Sequence, residues 1–341
     1  MERVLVTGGG GYIGTTVVPM LLEAGFAVRV LDRYFFGEDL LPEPSDQLEL
    51  VKQDNRRIGI EHFANVDYVI DLAAVSNDPS GELFQQATWQ INHLARVHTA
   101  NLAKEAGVKR YVLPSSCSIY GFQEQGVICT EKSEINPLTT YAKANGSAER
   151  GVLPLADERF TAVVLRQSTV YGLSPRMRLD LAINGMTYGA WETGKLPLLR
   201  DGTQWRPMVH VRDTAAAQIF MLTAPADKVS GQIFNVGSEE NNYQLGPLAE
   251  IIADTIPKDI EIEWYGEPDH RSYQVNFDKI ESLGWKAKRN AKDATLEIYE
   301  ALESEKLSKT SKTITLQWYQ ELVKWREVIR KVEMYDGIME I

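Results

Sequence analysis

The sequence predicts an α/β protein built on a doubly wound parallel sheet, with a smaller C-terminal α/β lobe over it. Three observations carry that prediction: apolar runs of strand length, helical patterns between them, and a glycine cluster at the first strand-to-helix junction. The runs are RVLVTG (3–8), AVRVLD (27–32), LELVKQD (48–54), YVIDLAA (68–74), RYVLPSS (110–116) and TAVVLRQ (161–167). They are rich in Val, Ile and Leu, as strands buried on both faces must be. Helical segments fall between them at 12–24, roughly 82–106 and 141–156. Strands that alternate with helices run parallel.

Past Gly172 the alternation loosens. LDLAINGMTYGAW reads as a helix, followed by a Gly/Pro-punctuated loop to 206. QIFNVGS (232–238) reads as another strand, GPLAEIIADTI and IEIEW as a helix and a strand, and DKIESLGW as a short helix with a turn. The expected units are therefore 1–171 with 207–235 returning to it, a second lobe from 172–206 and 236–300, and a helical extension over 301–341. In that extension Trp318, Leu322, Trp325 and Ile329 recur at 4-3-4 spacing, one apolar face expected to pack on the protein itself.

Composition narrows the function classes. The 341 residues are 44% hydrophobic and 24% charged, an ordinary globular balance, with a net charge of −11. An acidic surface repels phosphate backbones, so nucleic acid is not an expected partner, and an anionic ligand needs a local basic pocket. Two cysteines, Cys117 and Cys129, are too few for a disulfide framework or a CxxC site, and the five histidines have no ligand spacing; no metal is expected. No apolar run approaches the roughly 18 residues that span a bilayer. The N-terminus goes straight into a strand without a signal-peptide core, and a cytoplasmic location is expected.

The glycine cluster is TGGGGYIG. Gly8, Gly11 and Gly14 fall where a backbone must turn tightly, approach a pyrophosphate and let a helix pack on a strand. Tyr12 and Ile13 lie between them, at the helix N-terminus that offers free N–H groups to phosphate. Asp32 closes the second strand, 18 residues after Gly14. A carboxylate there accepts bonds from both ribose hydroxyls of NAD and repels a 2′-phosphate, although Arg33 beside it suits that phosphate. NAD is the expected cofactor, on a Rossmann-type domain.

TGxxGxxG, Asp32, QDNRR with Asp54, DLAA, Asn92, SSCSIYG and Tyr141 come in the order found in extended short-chain dehydrogenases/reductases, and the chain resembles that family from about residue 3 to 290. The resemblance implies that Asp54 and Asn55 lie near the adenine, that Leu72, Ala73, Ala74 and Ser115 line the cofactor cleft, and that Asn92 supports the site from its helix. In that family a serine or threonine, a tyrosine and a lysine do the chemistry. The tyrosine takes a proton from a sugar hydroxyl as hydride passes to the nicotinamide, and the lysine lowers the tyrosine pKa. Counted back from Ile119-Tyr120-Gly121, Ser116 holds the hydroxyl position, 25 residues before Tyr141. Cys117 and Ser118 fall where sugar-nucleotide 4,6-dehydratases carry an Asp–Glu pair, and they supply elimination chemistry poorly.

The lysine position is Asn145. An unperturbed tyrosine has a pKa near 10, so about one molecule in a thousand is phenolate at pH 7. Asparagine adds no charge to favour that form. Lys143 is about 200° around the helix from Tyr141, and Asn145 shares Tyr141's face, within reach of a ribose hydroxyl. Three readings stand: a slower site, a site with another base, or a retired one. Cys117 has two: a small apolar filler at a strand end, or a proton carrier beside the substrate.

LRQSTVYGLSPRMRLDLAINGMTYGAW is similar to the sugar-nucleotide side of the same family. Thr169 stands where relatives usually carry Asn. The resemblance puts Arg206, in DGTQWRPMVHVRD, on the substrate diphosphate, and Arg271, in PDHRSY, on its phosphate or ribose. Arg176 and Arg178 are further cations nearby, and an arginine fork suits a diphosphate. The expected function is an NAD-dependent nucleotide-sugar epimerase that transiently oxidises a ring carbon. The alternatives are a nucleotide-sugar dehydrogenase or reductase, a 4,6-dehydratase-like enzyme, and a non-catalytic nucleotide-sugar binder. The resemblance also implies a homodimer, formed through the helices near 82–106 and 141–156.

Overall fold

A computed structural model describes residues 1–124, 126–199, 201–266 and 272–333. Seven parallel strands form the main sheet, in the spatial order Gln232–Val236, Thr161–Gln167, Arg110–Ser116, Tyr68–Asp71, Arg3–Thr7, Ala27–Asp32 and Leu48–Lys52. All seven are among the strands expected from the sequence. The order reverses beside Arg3–Thr7, which pairs with Ala27–Asp32 on one side and Tyr68–Asp71 on the other. That reversal opens a crevice at the carboxyl ends of the strands, where ligands of such sheets bind. Two apolar layers cover the sheet, one built around Val6, Val17, Val30 and Ile70, the other around Leu5, Val69, Tyr111 and Val164.

The strand expected over 68–74 ends at Asp71. Leu72 N–H still bonds the Thr7 carbonyl at 3.0 Å, but the chain leaves the ladder at Ala73, whose N–H turns to Thr7 Oγ1 at 3.2 Å, while Thr7 donates its hydroxyl to Asp71. Tyr111 donates to the same carboxylate from the next strand. This buried network fixes the cleft wall opposite Gly8.

The helix expected over 82–106 is broken. Asn77 caps Asp78–Leu83, Gln85–Trp89 follows, a π-helical turn spans Gln90–Ala95, and Arg96–Glu105 completes the run. A π turn takes up an extra residue and rotates the next helical segment about its axis, and such turns cluster at functional sites. Here Asn92 and Arg96 are both delivered to the cleft wall.

The segment expected as a loop up to 206 holds the strand Lys195–Leu199 and the start of Trp205–His210. Thr169–Tyr171 pairs parallel with Met208–His210, and Trp205–Pro207 pairs antiparallel with Asn242–Gln244. Lys195–Leu199 and Glu261–Tyr265 form a two-stranded ribbon. Ile183, Ala190, Leu196, Leu248 and Ile252 make the second lobe's core.

The C-terminal helix Thr315–Val332 docks by its first two turns only. Trp318 donates its indole N–H to the Phe35 carbonyl at 2.7 Å, and the Tyr319 ring meets Phe35, Phe36 and Phe84 at 6.0–6.1 Å. The aromatic floor ends there. Trp325, expected on the packed face, is 65% exposed.

Candidate active site

A cleft of about 830 Å³ runs along the carboxyl edge of the sheet from Asp32 and Asn55 to Ser116 and Tyr141. Its floor is the glycine turn. Gly8 has φ +69°, and a Cβ there would lie 2.6 Å from the Ala73 nitrogen. A Cβ on Gly14 would meet the Gly9 carbonyl at 2.4 Å, so the helix Gly14–Glu23 starts close against the loop only because no side chain intervenes. Ile13 is the N-cap of that helix and makes no side-chain cap bond. Thr15 and Thr16 N–H already bond the Gly11 and Ile13 carbonyls at 2.9 and 3.0 Å, which leaves the N–H groups at Ile13 and Gly14 for a ligand. Tyr12 uses its hydroxyl structurally: it donates to the Gly172 carbonyl at 2.6 Å and accepts from Asn184 at 3.1 Å, tying the loop to the second lobe.

Asp32 accepts Gly10 N–H at 2.9 Å and Tyr34 N–H at 2.7 Å. Burial raises its pKa, and those backbone donors oppose the rise. Arg56 holds the Asp54 carboxylate below its ordinary range, and Arg33 is turned to the same group at 3.2 Å. Asn55 lines the cleft with its Nδ2 buried and without a partner among the described residues, a donor placed for a heterocycle. The orphaned donor, the uncapped helix and the cradle that a Cβ would fill fit a dinucleotide. Leu72, Ala73 and Ala74 form the opposite wall. Asn92 acts from behind it: its amide accepts Val75 N–H at 2.8 Å and donates to the Val75 carbonyl at 3.0 Å. Ser115 borders the cleft, but its hydroxyl donates inward to Glu149.

At the far end Ser116 and Tyr141 both line the cleft. Thr139 caps the helix Thr140–Val152, which presents Tyr141 in its first turn. Burial pushes the Tyr141 phenol above its usual value; Arg96 opposes this first, then Ser116. The charge that most favours the Tyr141 phenolate thus comes from another helix. Arg96 is 3% exposed, and it donates Nη1 to Asn145 Oδ1 at 2.8 Å and Nε to the Ala73 carbonyl at 3.2 Å. Asn145 spends its other end on the Tyr141 carbonyl at 3.0 Å. With both ends of its amide engaged, Asn145 does not line the cleft, and the expected ribose contact is corrected: it positions Arg96. Lys143 is exposed.

Sequence reasoning missed Arg96 because it lies 45 residues before Tyr141 and resembles a surface charge. Its position four after Asn92 was the one available signal, since it shares that residue's face.

Cys117 leaves the catalytic set. It is 1% exposed, its Sγ donates to the Arg166 carbonyl at 3.2 Å, and burial pushes its thiol far up. It fills the core. Ser118 instead faces the cleft, its N–H donated to Ser116 Oγ at 3.1 Å.

Beyond Ser116 a pocket of about 160 Å³ joins Ser118 and Thr169 to Asp78, Arg206 and Tyr273. Arg206 donates to the Trp205 carbonyl at 2.8 Å, and its guanidinium lies 5.9 Å from the Tyr273 ring. Arg176 does not join them; it lies on the phosphate-loop side of the main cleft. Arg178 is paired through two bonds to Asp180, at 3.0 and 2.9 Å. The expectation for Arg271 falls outside the described residues.

Fold and site together define a dinucleotide-binding protein with a serine and a tyrosine at one end of its cleft. Residues 4–237 match the NAD dependent epimerase/dehydratase family, and the chain belongs to it. NAD is the cofactor of that family, and the cleft fits it. A putative UDP-glucose 4-epimerase of Methanocaldococcus jannaschii is 26% identical, covering 85% of this chain and 95% of the relative. A dTDP-D-glucose 4,6-dehydratase of Mus musculus is also 26% identical, covering 84% of each. Among solved structures, UDP-glucuronic acid 4-epimerase from Bacillus cereus in complex with UDP-glucuronic acid and NAD superposes with a TM-score of 0.79 at 20% identity, over 89% of this chain and all of that one. At that identity the match speaks for the fold alone. No helix among the described residues is long and apolar enough to cross a membrane.

Proposed function

We propose that this chain is a nucleotide-sugar epimerase that oxidises a ring carbon transiently and reduces it again. The observation that carries the reading is the Ser116–Tyr141 pair at the closed end of the dinucleotide cleft, with the buried Arg96 guanidinium as the cation beside Tyr141. NAD, held by the glycine turn, would supply the reversible hydride acceptance that this chemistry needs. Tyr141 takes the hydroxyl proton from the same carbon and later gives it back, while Ser116 orders that oxygen. Arg96 favours the phenolate without touching the reacting atoms. The pocket with Thr169 and Arg206 takes the sugar and its diphosphate, and Arg271 is retained as a further grip on the nucleotide.

Elimination fits less well, because Cys117 is buried in the core and Ser118 is a poor acid. The relatives include UDP-sugar epimerases and a dTDP-sugar dehydratase, which sets the candidate substrates. A homodimer through the helices near 82–106 and 141–156 remains part of the proposal, supported by the outward-facing Trp89 and Leu94, 37% and 59% exposed. The test is incubation of the NAD-loaded protein with UDP-glucose, UDP-glucuronic acid and dTDP-glucose. An epimeric sugar without lasting NADH absorbance is expected. A keto product with stoichiometric NADH means a dehydrogenase, a 4-keto-6-deoxy product means a dehydratase, and tight binding without turnover means a binder.

A further inference from the structure

Arg176 is 4% exposed and lines the dinucleotide cleft. Its Nη2 donates to Thr315 Oγ1 at 2.9 Å, and its guanidinium lies 3.6 Å from the centroid of the Phe36 ring. Nε and Nη1 are buried and have no partner among the described residues. Burial lowers its pKa to about 9, and the neighbouring Arg178 charge adds to the effect. At neutral pH it remains a cation, out of water, with two unused donors. Such a group is costly until an anion meets it.

The surroundings say which anion. Arg176 N–H donates to Thr15 Oγ1 at 3.3 Å, in the first turn of the uncapped helix Gly14–Glu23. Ser174 holds the same strand-following segment against that turn, bonded to Thr15 Oγ1 at 2.9 Å, Thr16 Oγ1 at 3.2 Å and the Tyr12 carbonyl at 2.7 Å. Arg178, the adjacent cation, is already neutralised by Asp180. Arg176 is absent from the pocket that holds Arg206 and Tyr273. Tyr319 lines the same main cleft, with Leu322, Val323 and Arg326 beyond it. Burial raises the Tyr319 phenol, and the Arg176 and Arg178 charges oppose that rise.

We infer that Arg176, clamped between Thr315 and Phe36, binds the pyrophosphate of the dinucleotide, and that the C-terminal helix Thr315–Val332 is the outer wall that retains it. The cation assigned from sequence to the substrate's phosphate therefore belongs to the cofactor, and the helical extension is part of the cofactor site. This rests on the reading of the cleft as an NAD site.

The test uses the full chain stripped of nucleotide, titrated calorimetrically with NAD, adenosine and UDP, alongside thermal melting. In Arg176→Met, NAD affinity falls on the order of 10- to 100-fold, the range of a charge-assisted hydrogen bond. Adenosine and UDP affinities stay unchanged, and the nucleotide-free protein melts no lower than the parent because an unneutralised buried cation has gone. Tyr319→Ala speeds NAD release on the order of 10-fold. Weakened UDP binding with NAD binding intact would return Arg176 to the substrate and overturn the inference. A lower melting point with unchanged NAD affinity would make Arg176 structural and overturn it equally. Should Arg176→Met fail to fold, Thr315→Val reports instead: it frees the clamp, and unchanged NAD affinity there counts against the assignment. Failure of the parent to bind NAD would instead remove the underlying reading.

Discussion

One buried arginine stands behind the wall at the reaction end of the cleft and another lines the opposite end, and they differ in what they touch. Arg96, at the reaction end, is bonded to Asn145 and to the Ala73 carbonyl. Arg176, at the phosphate end, keeps one bond and two idle donors. A buried cation whose donors are taken by neutral protein acceptors can only project its field, which here reaches Tyr141. One whose donors are idle awaits a ligand of opposite charge. Partnering, more than burial, separates a charge that tunes from a charge that binds.

The sharpest way to break this contrast is at the group being tuned. Tyr141→Phe keeps the ring and removes the proton carrier, so turnover should fall by about 10²–10⁴-fold while NAD still binds; turnover near the parent value would move the chemistry elsewhere. Arg96→Met comes next. Tyr141 is already raised by burial, and loss of the strongest opposing charge raises it further. Its phenolate then forms only at higher pH, so the alkaline-rising limb of kcat shifts upward and the neutral-pH rate falls by about tenfold per pKa unit. A pH–rate profile that does not move would show that Arg96 is merely structural. Asn145→Lys alone should lower stability by about 1–3 kcal/mol, because it removes Arg96's acceptor and buries a second cation beside it. Combined with Arg96→Met it should recover activity; a double variant no better than Arg96→Met alone would mean the two sites are not exchangeable.

Smaller effects sharpen the boundaries. Gly8→Ala should cost more than about 1 kcal/mol and weaken NAD, since φ is +69° and the new Cβ meets the Ala73 backbone; melting with and without NAD separates the two losses. Cys117→Ala should leave kcat and its pH profile unchanged and cost about 1 kcal/mol or less, as expected for a small filler. A changed pH profile would restore Cys117 to the chemistry.

The parts legible in the sequence are those whose information is local. The seven strands, the glycine turn and the Ser116–Tyr141 pair are such patterns, each set by residues within a few positions or by fixed spacing. Asn145 was legible as a loss. Its compensation was not, because Arg96 reaches it across two packed helices after a π turn that no periodicity announces. Arg176 misled for the opposite reason. It follows a strand whose sequence resembles substrate-binding segments, but Ser174 bends that segment back onto the first helix. The C-terminal helix was expected on the protein, yet its floor depends on Phe35, Phe36 and Phe84, all of them far earlier in the chain.

That last separation bears on biosynthesis. The phosphate turn leaves the ribosome long before the helix that borders the same cleft. A nascent chain can lay down its parallel strands in the order of synthesis. It cannot close the groove until the residues around Tyr319 have emerged, so any nucleotide it meets earlier finds an open trough.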